Sequence, residues 1–385
     1  MRIALLNTIR AYGGGEKRVM QGAAEYEALG HAVLVVGDPR GELVRRRAAS
    51  GGDWAAPELG RYWSLASARR LDGILRRYRA EVVVCYDQRS VRLAALADRL
   101  VRPPAPRPSQ RFPSIIYYYG GEGTFRNRFW NQWVVGPRIA RYVPNAQALR
   151  QELLSFGWIP DARVQVIYDG LDPTPILQAD PTGMRRELDT PADALVAITV
   201  ARLVPGKGHE ILLHAVQTLA PRYPQLRIWL AGDGPEDAAY RALAARLGVA
   251  DRVQFLGFRK DVPRLLRAAD LLCHPSRKEG APNAVREGMA AGLPVAAVAA
   301  SGTPELMVEG ETGLLSPVDD VPALAANLDR LLADPTLRKR MGSAGKERAL
   351  AEFGEGACTM RWLNLLEACG AERGDPSPRD EGLLG

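Results

Sequence analysis

Two glutamates eight residues apart, Glu279 and Glu287, have the spacing to act on one ligand. Glu279 lies in a Gly-Ala-Pro loop; proline favours the first position of a helix, and Gly292 with Pro294 would end one. The pattern therefore predicts Glu279 just before a helix and Glu287 inside it. Eight residues span about 12 Å of helix and slightly over two turns, so both carboxylates can face the same side.

The start of this predicted helix would offer free N–H groups, which attract phosphate. A nucleotide sugar, with a diphosphate in its middle and hydroxyls at each end, fits the layout. The spacing also fits a simpler interpretation, in which Glu279 only favours the helix dipole and Glu287 lies on a solvated helix face.

A basic loop at 201–208 carries the next candidates, Arg202 and Lys207. An arginine fork and a lysine suit a diphosphate, both in binding it and in taking up negative charge as it leaves. Basic loops are common, so this loop by itself indicates little.

Three further loops of the same half could contribute to a ligand site. The Gly-Asp-Gly-Pro motif at 232–235 allows close backbone approach, or is a plain turn. The stretch 257–260, which includes Arg259, could border a nucleobase, and Asp261 is expected to cap the next helix. A Ser-Gly-Thr-Pro-Glu stretch at 301–305 again suits phosphate.

The elements that must position these loops alternate between strand and helix, which predicts an α/β protein with parallel sheets. Strands are predicted at 2–7, 82–85, 114–119, 226–231 and 253–257, and 142–145 with 164–168 would close the first sheet. Helices are expected from residue 321 onward. The predicted organisation is a first domain at 1–172, a proline-rich linker at 173–192, a second domain at 193–355, a helix at 356–370 and a disordered tail at 371–385. Two doubly wound domains would place a cleft between their strand ends.

The charge of the chain is uneven. Through residue 172 there are 26 Lys and Arg against 16 Asp and Glu, a net of +10, whereas the remainder has 25 against 28, a net of −3. A basic first half suggests an anionic partner: a membrane surface, a phosphorylated acceptor or, disfavoured by the interspersed acids, nucleic acid. Solubility is the alternative. Aromatics that include Phe129, Trp130 and Trp133 interleave with arginines, and core packing is favoured for them over a lipid or sugar surface.

Several functional classes are disfavoured. There is no G-x-G-x-x-G with a following acidic residue, which argues against a dinucleotide-dependent oxidoreductase. The four cysteines are scattered without metal or disulfide spacing, no apolar run approaches the roughly 20 residues of a membrane span, and the first residues form a strand. A cytoplasmic protein is therefore expected.

Taken as a set, these motifs resemble glycosyltransferase family 4. They occur here in that family's order, densely from about 199 to 318 and more loosely before it: Gly13-Gly14-Gly15, Gly30-His31, Tyr168-Asp169-Gly170-Leu171-Asp172, the Arg202/Lys207 loop, Gly232-Asp233-Gly234-Pro235, Glu279 with Glu287, Gly292-Leu293-Pro294-Val295, Gly302-Thr303-Pro304-Glu305 and Gly310-Glu311-Thr312-Gly313-Leu314-Leu315. The resemblance implies a GT-B fold of two Rossmann-like domains, with the terminal helix crossing back onto the first. The family usually has Asn where Asp169 stands.

The resemblance also implies residue roles. Glu279 would contact hydroxyls of the donor sugar, Glu287 would hold the ribose, and Arg202 with Lys207 would bind the diphosphate. Glu279, Arg202 and Lys207 are accordingly the expected catalytic group. Further donor contacts are expected from Gly14 and Gly15 of the first domain and from Gly232, Arg259, Gly280, Ala281, Pro282, Asn283 and Ala284 of the second.

One family feature is missing. Many members have a histidine after the strand that corresponds to 114–119, facing the reacting sugar, whereas this chain reads Tyr117-Tyr118-Tyr119-Gly120-Gly121-Glu122-Gly123. Tyr119 or Glu122 is the candidate replacement on the acceptor side. No metal site or cofactor is expected, so charge neutralisation would fall to Arg202, Lys207 and helix dipoles.

The sequence thus predicts a metal-independent glycosyltransferase, and the family resemblance implies that it retains anomeric configuration. It would move a hexose or hexosamine from a UDP- or GDP-sugar to a glycolipid, sugar or polysaccharide acceptor of the cell envelope, and an anionic membrane surface is a further candidate partner. The alternatives are a nucleotide-sugar epimerase or hydrolase of the same architecture, and a degenerate GT-B domain that acts as a scaffold. The two glutamates do not form a glycosidase pair, because one is assigned to the sugar and the other to the ribose.

Overall fold

A computed structural model describes residues 1–10, 14–59, 64–100, 112–120 and 128–372 of the 385-residue chain. The chain divides into two compact units. Unit 1 comprises Met1–Asp169 together with the segment that starts at Cys358, and unit 2 comprises Gly170–Ala357. None of the described helices is long and apolar enough to cross a membrane.

Unit 1 contains a six-stranded parallel sheet in the order β3-β2-β1-β4-β5-β6. Its strands are runs rich in Val, Ile and Tyr, as expected for a parallel sheet buried on both faces. Their bounds are β1 Arg2–Asn7, β2 Ala32–Gly37, β3 Trp54–Ala55, β4 Val82–Cys85, β5 Ser114–Tyr119 and β6 Ile139–Pro144. The carboxyl ends of these strands therefore share one edge of the sheet.

Helices cover both faces of this sheet. They are α1 Gly14–Ala28, α2 Glu42–Ala49, α3 Leu65–Tyr78, α4 Gln88–Leu100, α5 Arg128–Trp130, α6 Gln147–Ser155 and, at the end of the chain, α16 Glu355–Ala371. As predicted, the last helix returns to unit 1. Its Trp362 and Leu366 are fully buried in a cluster that includes Ile3 and Leu5 of β1.

Unit 2 repeats the plan with a second six-stranded parallel sheet, in the order β12-β11-β10-β7-β8-β9. The strands are β7 Leu195–Val200, β8 Leu226–Ala231, β9 Val253–Gly257, β10 Leu271–His274, β11 Val295–Val298 and β12 Gly313–Ser316. The helices are α7 Thr174–Leu177, α8 Met184–Glu187, α9 His209–Leu219, α10 Asp237–Arg246, α11 Val262–Ala268, α12 Asn283–Ala290, α13 Thr303–Leu306, α14 Val321–Ala333 and α15 Pro335–Glu352.

Two sequence predictions about the connections need correction. Residues 164–168 are not a strand: Val164 makes one isolated bridge to Tyr142, and the N–H groups of Gln165 and Ile167 donate to β6, but Pro144 of β6 has no N–H to donate in return. The proposed linker 173–192 contains α7 and α8 and packs on unit 2, where Met184 is fully buried and Arg185 pairs with Asp270 at 2.8 Å. Its prolines begin and separate short helices.

The expectation that the aromatic segment packs in the core is wrong for its described members. Phe129, Trp130 and Trp133 are 64%, 44% and 61% exposed on α5 and the π-helical turn that follows it. Residues 121–127 of the same segment lie outside the described residues, as does the predicted tail from 373 onward.

Candidate functional site

Glu279 is the centre of the candidate site in unit 2. Its carboxylate oxygen Oε1 lies 2.7 Å from Lys207 Nζ and 3.3 Å from His274 Nε2. The Glu279 side chain is 14% exposed, that of Lys207 is 24% exposed and that of His274 is almost fully buried. The sequence predicted that Glu279 and Lys207 share a site, but it did not single out His274 or predict a direct ion pair.

The two basic neighbours change the acidity of Glu279. Burial by itself would raise the pKa of the Glu279 carboxyl, but the close approach and charge of His274, together with the charge and hydrogen bond of Lys207, hold that pKa lowered to about 2. Glu279 is therefore an anion that accepts hydrogen bonds at neutral pH. It is not suited to donate a proton as a general acid.

The loops of Lys207 and Glu279 are fastened to each other through the backbone. The Arg277 N–H donates to the carbonyl of Gly206 at 2.9 Å, and the Ser276 hydroxyl donates to the same carbonyl at 3.3 Å. Gly208 has a φ of +73°, and a Cβ at that position would lie 1.9 Å from the backbone oxygen of Pro275. Glycine is required there because the two loops pass too close for any side chain.

Helix α12 begins as the sequence predicted, with Pro282 at its N-cap and Glu287 inside it. Because proline has no polar side-chain atom, its side chain cannot cap the first N–H groups of the helix. The buried Arg286 braces this turn: its Nη2 donates to the carbonyl of Ala281 at 3.3 Å and to the side chain of Asn283. The sequence analysis did not identify Arg286. The one available signal was its position inside the predicted helix, one residue before Glu287.

The remaining residues of this turn lie where the motif placed them. Ala281 and Ala284 are buried, whereas Glu287 and Gly280 are partly exposed and Asn283 is exposed. The peptide N–H of Gly302 approaches the Glu279 carbonyl oxygen at 3.4 Å and so ties the loop after β11 to this turn. The helix that follows, α13, has four residues, and the phosphate site at 301–305 stays a prediction.

Arg202 differs from Lys207 in its surroundings. Its side chain is exposed, and it makes no hydrogen bond or ion pair with any residue that the structure describes. It lies on the loop after β7, at the carboxyl edge of the same sheet as the Lys207 loop. The Arg202 guanidinium can therefore bind an anionic ligand without first breaking a salt bridge.

The Gly-Asp-Gly-Pro turn supports the Arg202 loop. A Cβ at Gly232 would lie 1.9 Å from the carbonyl oxygen of Ala201, and the Leu203 N–H donates to the carbonyl of Asp233 at 2.7 Å. The close backbone approach predicted for Gly232 is therefore an approach to a neighbouring loop. Its contact with a nucleotide stays a prediction.

Two side chains of the stretch after β9 differ in their surroundings: Arg259 pairs with Asp261, whereas Phe258 is exposed. The Arg259 guanidinium donates from Nε and Nη2 to the two oxygens of Asp261, at 2.8 and 2.6 Å. Asp261 occupies the predicted N-cap position of α11, but its side chain makes no capping hydrogen bond, and both of its oxygens accept from Arg259 instead. The adjacent Phe258 is 68% exposed.

In unit 1, Gly14 and Gly15 form the first turn of α1 and follow β1 closely, with the Gly15 Cβ position 3.7 Å from Asn7 Nδ2. Their role toward a donor stays a prediction. Tyr119 is buried, and its hydroxyl donates to Glu152 at 3.0 Å, which argues against Tyr119 as the group that faces an acceptor. Glu122 lies outside the described residues.

Asp169, the residue that departs from the family pattern, is the last residue of unit 1 before the chain enters unit 2. Its Oδ2 accepts hydrogen bonds from the Tyr118 hydroxyl and from Asn145 Nδ2, both at 2.8 Å. Its Oδ1 lies 3.6 Å from Nε of Arg18, a buried arginine of α1. A carboxylate at 169 therefore faces a buried positive charge.

No group of three or more His, Cys, Asp or Glu side chains within the described ranges could hold a metal ion. The four cysteines are free and buried. His209, the first residue of α9, stacks on Tyr240 at 5.1 Å, and burial lowers the pKa of His209 to about 4. Metal independence stays a prediction.

Comparison with known proteins gives consistent matches over both units. Residues 12–174 match the family model Glycosyltransferase Family 4, and residues 182–348 match the model Glycosyl transferases group 1. The lipopolysaccharide core biosynthesis glycosyltransferase LpsD of Rhizobium meliloti (strain 1021) is 30% identical over 307 residues, which cover 79% of this chain and 80% of LpsD. A second lipopolysaccharide core biosynthesis glycosyltransferase of the same strain, LpsE, is 33% identical over a segment that covers 58% of this chain and 63% of LpsE.

Among solved structures, Anabaena Alr3699/HepE in complex with UDP-glucose superposes with a TM-score of 0.83 at 23% identity, covering 96% of this chain and 100% of HepE. At that identity the likeness concerns the fold. It confirms the predicted GT-B architecture of two Rossmann-like units.

Proposed function

The chain belongs to glycosyltransferase family 4, and from that premise we propose that it transfers a hexose or hexosamine from a nucleoside diphosphate sugar to an acceptor. The observation that carries the proposal is the Lys207–Glu279 pair beside the start of α12. A fixed carboxylate, a cation and the first N–H groups of a helix lie in one small region of unit 2, an arrangement that suits the hydroxyls and diphosphate of a nucleotide sugar. The named activities of LpsD and LpsE favour a lipid-linked or polysaccharide acceptor of the cell envelope, and the UDP-glucose in HepE favours a UDP-sugar donor.

In the proposed mechanism the donor diphosphate lies against the basic loop and the helix start. Arg202, exposed and without a partner among the described residues, is the group free to pair with a phosphate oxygen. The N–H groups at the start of α12 and the Lys207 ammonium add positive potential on the same side. As the bond between sugar and phosphate breaks, these groups take up the charge that develops on the leaving diphosphate, and no metal ion is required.

Retention of anomeric configuration is proposed to follow from front-face attack within an ion pair. The leaving phosphate oxygen would accept the proton of the acceptor hydroxyl on the face that it has just left. Glu279 cannot protonate the leaving group, because its pKa is lowered to about 2. Its part is to hold the donor sugar through hydrogen bonds, while Glu287 holds the ribose.

A nucleobase is proposed to lie near the loop after β9. Phe258 offers an exposed ring there, and aromatic rings stack on bases with about 1–3 kcal/mol per base in single-stranded nucleic acid complexes. Arg259 is held by Asp261 and would border this platform instead of reaching out to a phosphate.

The test is a thermal-shift screen of UDP, GDP, ADP and their common sugar conjugates, each with magnesium and with EDTA. A ligand at 100 times its Kd stabilises the protein by about 2.7 kcal/mol, which such a screen detects. We expect a shift that is selective for one base and indifferent to EDTA. Glu287→Ala should weaken the nucleoside diphosphate shift, whereas Glu311→Ala, an exposed acid elsewhere in unit 2, should not.

Turnover with the selected donor then separates the enzyme classes. Transfer to a glycan or lipid-linked acceptor with a retained anomer supports the proposal. Release of nucleoside diphosphate without any acceptor indicates a hydrolase, and the absence of a shift with every nucleotide indicates a non-catalytic domain.

Peripheral membrane attachment is proposed for unit 1. Phe129, Trp130 and Trp133 together expose aromatic surface, and Arg99 Nη1 donates to the Trp133 carbonyl at 3.1 Å, so a cation lies beside it. Aromatic rings next to cations suit the interface of an anionic bilayer.

The test of membrane attachment is vesicle flotation. Phosphatidylglycerol vesicles should carry the protein upward in the gradient, and phosphatidylcholine vesicles should not. Trp130→Ser with Trp133→Ser should abolish recovery, whereas Trp54→Ser, a comparably exposed tryptophan on β3, should retain it.

A further inference from the structure

We infer that His274 is a positioning residue for Glu279: together with Lys207 it holds the oxygen Oε1, and it thereby assigns Oε2 to the hydroxyls of the donor sugar. The inference rests on the proposed function of Glu279 as the sugar-binding carboxylate. It adds a residue and an atomic assignment that neither the motif nor the comparisons supply.

The contacts of the carboxylate are one-sided. Lys207 Nζ at 2.7 Å and His274 Nε2 at 3.3 Å both approach Oε1. Over the ranges that the structure describes, no hydrogen bond or ion pair reaches Oε2 of Glu279. A carboxylate fixed through one oxygen cannot rotate to exchange its two oxygens without losing both partners. Its second oxygen therefore keeps one direction.

The surroundings of His274 give the ring no other polar contact. It is the last residue of β10 and is 2% exposed, between apolar strand neighbours and the Glu279 loop. Both ring nitrogens are buried, and neither meets hydrogen-bond geometry with a described residue; the polar contact of the ring is the 3.3 Å approach of Nε2 to Oε1 of Glu279. Burying a polar ring is unfavourable unless it is paired, so an apolar residue would be favoured at this strand end if the ring only filled space. The approach to Glu279 is the compensation that explains a histidine.

Side chains from the ends of two different strands would then hold the Oε1 oxygen of Glu279 in place. Lys207 comes from the loop after β7, while His274 comes from the end of β10, five residues before Glu279. Lys207 can also turn toward an incoming phosphate, because its side chain keeps 24% exposure. His274 has no such freedom. It would keep Oε1 occupied when Lys207 engages the diphosphate, so that sugar discrimination survives donor binding.

The experiment compares two amides in place of the imidazole. In His274→Gln the amide nitrogen reaches approximately the place of Nε2, whereas in His274→Asn it reaches only the place of Nδ1. His274→Leu removes the donor and keeps the apolar volume. The probes are UDP-glucose against UDP-galactose, or GDP-mannose against GDP-glucose if the guanine nucleotide is selected, with UDP or GDP alone as the sugar-free reference.

We expect His274→Asn and His274→Leu to lose about ten- to a hundredfold in kcat/KM for the preferred sugar and most of the preference between epimers, as for a misplaced hydrogen-bond acceptor. His274→Gln should recover most of both. The affinity for UDP or GDP alone should stay within about twofold in all three variants, because the diphosphate and base do not depend on Oε2.

Equal epimer preference in wild type, His274→Asn and His274→Gln would overturn the inference. So would a loss of UDP or GDP affinity that parallels the loss of turnover, since that pattern indicates general disruption of the site. If His274→Leu is insoluble, the Asn and Gln pair still decides the question.

Glu279→Gln separates this inference from the proposed function. If Glu279→Gln leaves epimer preference intact, the sugar-binding role of Glu279 fails and the role of His274 fails with it. If Glu279→Gln abolishes the preference while His274→Asn keeps it, the proposed function stands and only the positioning role is refuted.

Discussion

The pairing of Lys207 with Glu279 can be measured as a coupling free energy between Lys207→Met and Glu279→Gln. At the observed N–O distance of 2.7 Å, the gross attraction between unit charges about 3 Å apart is about 5–6 kcal/mol at an effective dielectric constant of 20. Desolvation and side-chain ordering cancel most of it, since both groups are largely buried. We therefore expect a net coupling of about 1–2 kcal/mol.

The two single variants should not cost the same. Glu279→Gln leaves both Lys207 and His274 beside a neutral amide and should destabilise unit 2 by about 2–3 kcal/mol, whereas Lys207→Met leaves the carboxylate with His274 and should cost about 1–2 kcal/mol. Hydrogen exchange of unit 2 peptides, followed by mass spectrometry, reports this unit separately from unit 1. A coupling below about 0.5 kcal/mol, or a larger cost for Lys207→Met, would refute the reasoning.

The same pair has a defined pH dependence. The folded-state pKa of Glu279 is lowered from 4.5 to about 2, so its stabilising contribution is present above pH 4.5 and is lost as the pH falls toward 2. Linkage then predicts that the stability difference between wild type and Glu279→Gln shrinks by about 2 kcal/mol between pH 6 and pH 3. A difference that stays constant over this range would show that the carboxyl is not held ionised by its neighbours.

Three other predictions concern the loops and the family departure. Gly208→Ala, which puts a Cβ 1.9 Å from a backbone oxygen at φ +73°, should cost at least about 3 kcal/mol of unfolding free energy, whereas Gly206→Ala, at φ +87° in open space, should cost about 1–2 kcal/mol. Arg202→Gln should lower kcat/KM by about 30- to 1,000-fold with unfolding free energy unchanged within about 0.5 kcal/mol; near-normal turnover would remove Arg202 from the site. Asp169→Asn should destabilise unit 1 measurably in denaturant unfolding, and Arg18→Met should offset part of that loss; additive costs would contradict the pairing.

Much of the fold could be predicted from local sequence. The strands at 2–7, 82–85, 114–119, 226–231 and 253–257 have the predicted bounds, because each is an apolar or β-branched run between polar or glycine residues. Residues 164–168 have similar composition, but their pairing with β6 is incomplete because Pro144 has no N–H to donate to them. Whether such a run becomes a strand depends on a neighbour that local sequence does not specify.

The candidate site was predictable only in part, and the reason is distance along the chain. The motif placed Glu279 before α12 and Lys207 in a basic loop, but their contact joins residues 72 positions apart. His274 carries no signal of its own, since a histidine at a strand end is common. Its contact with Glu279 arises because the chain turns back after β10 and brings Glu279, five residues later, next to the His274 ring. Gly232 shows the reverse case: its conformation was foreseen, but its close neighbour is the Ala201 backbone.

The Asp169 departure from the family pattern follows from the interior that surrounds it. Arg18 is almost fully buried and faces two carboxylates, Glu25 at 3.1 Å and Asp169 at 3.6 Å. An asparagine at 169 could still accept from Tyr118, but it would leave more of a buried positive charge uncompensated, which is unfavourable. Glu25 also accepts a hydrogen bond from Thr359 at 2.7 Å. Asp169 is the last residue before the chain leaves unit 1 and Thr359 is the second after it returns, so one buried arginine cluster anchors both ends of the excursion to unit 1. The acidic residue at 169 therefore compensates the buried charge of Arg18.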